Sequence, residues 1–73
     1  MKAILLYPEH KLWYLWCNQT YDGYNYTVVI FSDKDIKHES PLEFVDTYTE
    51  MAARTVLDAV NLGIISDWRQ LYD

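Results

Sequence analysis

The residue types able to do acid–base, nucleophilic or metal chemistry in this chain are one cysteine, Cys17, two histidines, His10 and His38, and a set of carboxylates. A cysteine nucleophile needs a neighbouring base or cation to hold it as thiolate, and a structural zinc needs four Cys or His ligands at short spacing. Neither histidine has a second Cys or His at metal-ligand spacing, and Cys17 follows an apolar run, so it reads as a buried structural thiol. Asp33 and Asp35, in Ser-Asp-Lys-Asp, lack the further oxygen ligands and the glycine of a calcium loop, which leaves a solvated turn. Glu43, Asp46 and Glu50 recur at helical spacing, an acidic stripe whose ordinary meaning is a wet face. With only Gly23 and Gly63 present, no glycine-rich phosphate loop can form. Two Asn-x-Thr triplets, at Asn18 and Asn25, read as a cross-strand polar ladder joining Asn18 to Thr27 and Thr20 to Asn25. The expectation is a non-enzyme with no catalytic residue, no cofactor and no metal.

The elements that must position these residues fit one domain, 1–73. A chain of 73 residues lies near the size at which one core supplies only about 3–5 kcal/mol without a disulfide, a metal or association. A single cysteine excludes an internal disulfide, so association is the remaining staple. The composition, 51% hydrophobic and 16% aromatic, is that of a folded chain. A formal charge of −5 argues against a phosphate-backbone binder and towards a partner with a basic surface. The apolar run Ala3 to Tyr7 is ended by Pro8 and is too short for a signal segment or a membrane span, so a cytoplasmic location is expected, the host cytoplasm if the chain is phage-encoded.

The pattern predicts a first strand over Lys2 to Pro8, a second over Lys11 to Tyr21, a type I′ turn at Asp22-Gly23, and a third strand over Tyr24 to Phe31. Ser40, Pro41 and Glu43 then carry the signature of a helix start, with Ser40 as N-cap and Glu43 closing a capping box. Val45, Tyr48, Ala52, Val56, Ala59 and Val60 form the apolar stripe of that helix, and Gly63 is its C′ residue. A short terminal helical turn follows around Ser66 to Leu71. The fold class is α+β: a three-stranded antiparallel β-meander packed against one long C-terminal α-helix.

Both faces of that sheet are apolar. Ala3, Leu5, Tyr7, Trp13, Leu15, Cys17, Tyr26, Val28 and Ile30 share one face, which the helix covers. Ile4, Leu6, Leu12, Tyr14, Trp16, Val29 and Phe31 share the other, on the order of several hundred Å² by strand spacing. Three occupants suit it: the C-terminal piece Ile64 to Tyr72, a second copy, or another protein. Uncovered patches of that size mark binding sites, and aromatic residues are the commonest anchors.

The leading functional expectation is a small acidic protein-binding module that contacts its partner through Leu12, Tyr14, Trp16, Val29 and Phe31 on the sheet and Glu43, Asp46 and Glu50 on the helix. In size, acidity and lack of catalytic groups it resembles the small stoichiometric inhibitors that bacteriophages and mobile elements direct against host or defence proteins. A homo-oligomeric subunit, the simplest form being a homodimer, is the first alternative. The second is a single-stranded nucleic-acid binder stacking bases on Tyr14, Trp16 and Phe31, which the scatter of Lys2, Lys11, Lys34 and Lys37 disfavours.

Overall fold

The computed structural model describes residues 1–14, 16–17 and 25–63. It is an α+β fold in which a three-stranded antiparallel sheet packs against one helix. The strands are β1 (Lys2–Leu6), β2 (Tyr26–Phe31) and β3 (Glu43–Thr47), in spatial order β1-β2-β3, and the helix is α1 (Glu50–Asn61). The meander is the predicted one; its membership is not. Only the first strand and the Tyr24 to Phe31 strand are where the pattern places them, and the remaining strand comes from the expected helix.

The stretch expected as the second strand begins instead with a 3₁₀ helix, Pro8–Trp13. Pro8 stands in its first turn, where a missing N–H is not needed, Glu9 follows at the positive end, and the His10 N–H closes onto the Tyr7 carbonyl at 2.9 Å. β1 therefore pairs directly with β2, with Ala3 opposite Ile30 and Leu5 opposite Val28. The Asp22-Gly23 turn, the Asn18 and Thr20 rungs of the polar ladder, Leu15 and the terminal turn lie outside the described residues. Of the ladder's other half, Thr27 donates to Asp46 Oδ1 at 2.6 Å and Asn25 Nδ2 to the Tyr48 carbonyl at 3.3 Å.

The helix cap lies nine residues beyond Ser40. Thr49 is the N-cap, its hydroxyl accepting from the Ala52 N–H at 3.2 Å, and Ser40 and Pro41 precede a strand. The segment Glu-Phe-Val-Asp-Thr carries β-branched and aromatic side chains that fit a pleated surface, and it pairs with β2 through Val45 opposite Val28 and Phe44 opposite Val29. Pairing to an open sheet edge outweighs a capping signature. The far end of α1 is as expected: Leu62 is the C-cap and Gly63 follows at φ 69°, the left-handed conformation that suits glycine.

β2 is the centre of the molecule, with Thr27, Val28, Val29, Ile30 and Phe31 all buried. On the helix side Ala3, Val28, Ile30 and Val45 meet Ala53, Val56 and Val60, with Leu5, Tyr26 and Leu57 around them. On the other side Leu6, Val29 and Phe31 pack with Cys17, and Ile4, Trp16 and Phe44 complete the cluster. The residues of β1 and β2 divide between the faces as their alternation predicts. Cys17 does not: it belongs to the side away from the helix.

Candidate binding surface

The second apolar face is covered by the chain itself. Trp16 is half-buried and lies edge-on to Phe31 at 5.6 Å between ring centroids and tilted against Phe44 at 5.7 Å. Its indole Nε1 donates to the His38 carbonyl at 3.1 Å. His38 is held at φ 55°, and its ring lies tilted against Phe31 at 4.7 Å between centroids. Two connections, the one from β1 to β2 and the one from β2 to β3, are thus clamped together over the sheet by one tryptophan. Val29 and Phe31 have no solvent exposure as a result.

What this cover presents outward is aromatic. Trp13 is 80% exposed and Tyr14 is 37% exposed, the latter with its ring 4.9 Å from Trp16. A string of ring contacts runs from Tyr26 to Tyr7 (5.6 Å), from Tyr7 to His10 (5.7 Å) and from His10 to Trp13 (6.1 Å). The Tyr7 hydroxyl donates to Glu50 Oε1 at 3.0 Å and accepts from Arg54 Nη2 at 3.1 Å, while Arg54 Nε donates to the same Glu50 oxygen at 3.0 Å. The Arg54 guanidinium, and after it the Tyr7 hydroxyl, hold the Glu50 carboxyl below the usual range. The string is tied to the first turn of α1.

The residues expected to bind a partner are dispersed by this fold. Leu12 lies on the 3₁₀ helix, Tyr14 and Trp16 follow it outside any strand, and Val29 and Phe31 are interior to β2. Glu43 and Asp46 belong to β3, where strand alternation sends them to opposite faces, and only Glu50 lies on α1. The acidic stripe of the supposed long helix therefore does not exist. Trp13, assigned by strand alternation to the helix-covered face, is the most exposed aromatic side chain among the described residues. Pro8 followed by Glu9 was the available signal, since it marks a helical first turn as readily as a hairpin.

The two aspartates of the Ser-Asp-Lys-Asp turn are held by local partners. Asp33 pairs with the Met1 ammonium at 3.0 Å. Asp35 accepts from the Ser40 N–H at 2.8 Å and the Glu39 N–H at 3.1 Å, and these two amides hold its carboxyl below the usual range. Among the described residues no three His, Cys, Asp or Glu side chains group as metal ligands, and no helix is long and apolar enough to cross a membrane. No protein-family model matches the chain, and no curated protein or solved structure shows significant similarity to it.

Proposed function

We propose that the chain is a small non-catalytic protein-binding module, a stoichiometric inhibitor or modulator, whose contact surface is the outer side of the cover: Trp13 and Tyr14, flanked by His10 and Tyr7. The observation that carries this reading is the 80% exposure of Trp13, the highest of any aromatic side chain among the described residues, at the end of a string of rings that includes His10 and Tyr7. A solvated tryptophan forgoes roughly 1.5–3 kcal/mol of burial, and tryptophan and tyrosine are the preferred anchors of protein interfaces. The charge of −5 favours encounter with a basic surface.

The test pairs wild type with Trp13→Glu as baits. A partner held by wild type and lost from the variant, at unchanged folding stability, supports the reading; equal capture by both overturns it. Self-association is the second reading, because a core of this size gains from it. Light scattering in the absence of any partner separates the two, a mass near 8.7 kDa at all concentrations removing the oligomer. Phe31, one of the three rings of the supposed nucleic-acid platform, is buried, which weighs against base stacking there.

A further inference from the structure

Among the described residues β1 has a strand neighbour, β2, on one side only, and the backbone groups along its other edge are a template for strand addition. At Ala3 both groups of that edge are taken. The Ala3 N–H donates to Asn61 Oδ1 at 2.7 Å, and Asn61 Nδ2 donates back to the Ala3 carbonyl at 3.0 Å. A carboxamide carries a donor and an acceptor side by side, so Asn61 supplies what a facing residue supplies in a hydrogen-bonded antiparallel pair. Its delivery is built into the helix end. Val60 is buried in the same cluster as Ala3, and the next residue, Asn61, is the last of α1 before the turn at Gly63.

We propose that Asn61 plugs a latent strand-pairing site on β1, and that the occupant it excludes is β1 of a second copy of this chain. The strand suits self-pairing: Ala3, Ile4, Leu5 and Leu6 are uncharged and apolar, the composition of segments that stack edge to edge. A two-fold register centred on Ile4 sets Ala3 against Leu5 of the second copy. Both residues then turn the same outward set of backbone groups to the contact, since hydrogen-bonding direction alternates along a strand. The same register places Lys2 opposite Leu6, which keeps the two lysines apart. The inference does not depend on the Trp13 surface.

The experiment measures mass by light scattering across concentration for wild type, Asn61→Ala and Asn61→Ala with Ala3→Pro. The single variant is expected to reach twice the wild-type mass at the same concentration. The added proline, which removes the Ala3 edge donor, is expected to return the mass to the wild-type value. A folded Asn61→Ala with the wild-type mass throughout overturns the proposal, as does a doubled mass that the proline leaves unchanged. If Asn61→Ala proves unfolded, the same series is run in trimethylamine oxide, which favours the compact state, and the same two outcomes decide.

Discussion

Replacing Trp16 by alanine separates a lid from a binding residue. By sequence pattern Trp16 is a partner contact, so its loss would weaken association and spare the fold. Its contacts with Phe31 and Phe44 and its bond to the His38 carbonyl make it structural. Full removal of a buried tryptophan costs about 3–5 kcal/mol. Trp16 is half-buried, so a loss of about 2–4 kcal/mol is expected, of which the indole hydrogen bond accounts for about 1 kcal/mol. Trp16→Phe keeps a ring over Phe31 and removes only the donor, and should lose about 1 kcal/mol. Urea unfolding followed by far-ultraviolet circular dichroism measures both. In a domain with about 3–5 kcal/mol in total, the alanine variant should retain about 1 kcal/mol and show a measurable unfolded fraction before urea is added. A Trp16→Ala protein within about 0.5 kcal/mol of wild type, a typical surface effect, would refute the reasoning and return Trp16 to the contact surface.

Two further outcomes follow from the hydrogen bonds. Thr49→Ala should lose about 1 kcal/mol as a missing N-cap, and Ser40→Ala should stay within about 0.5 kcal/mol, both read by urea midpoint; the opposite order would restore the helix start at Ser40. The carboxyls of Asp35 and Glu50 are both held below their ordinary range, Asp35 by backbone amides and Glu50 chiefly by Arg54. A depressed folded-state pKa adds stability above the unfolded value, about 4, and that contribution is lost as pH falls through the folded one. Stability measured by urea from pH 6 downwards should therefore decline below about pH 4–5, and less steeply in Asp35→Asn and Glu50→Gln.

The fold class, β1, β2 and the division of their side chains between two faces were legible because period-two alternation reports faces directly. Gly63 was legible because a helix end needs a residue at positive φ. The two errors share a cause, namely that local signatures compete with pairing the local sequence cannot see. Ser40, Pro41 and Glu43 satisfy a capping box, yet Glu43–Thr47 gains more as the neighbour of β2. Pro8 opens a 3₁₀ turn because the sheet needs a cover there more than another strand. The apolar run Val28-Val29-Ile30-Phe31 held the clue: an unbroken run in a strand reports burial on both sides. It calls for a covering layer on each, which the chain meets with α1 and with Trp16.

That central position of β2 sets where the sequence is free to drift. Five consecutive residues, Thr27 to Phe31, have no solvent-facing side, so a charge introduced at any of them lands in one half-core or the other. On α1 the residues between Ala53, Val56 and Val60 include Arg54, Thr55 and Asp58, all exposed. Random mutagenesis scored for folded protein should therefore leave Val28 to Phe31 hydrophobic at every position while the outer side of α1 accepts nearly any composition compatible with a helix. Among the described residues the most constrained stretch is thus an interior one, set by packing on both of its sides.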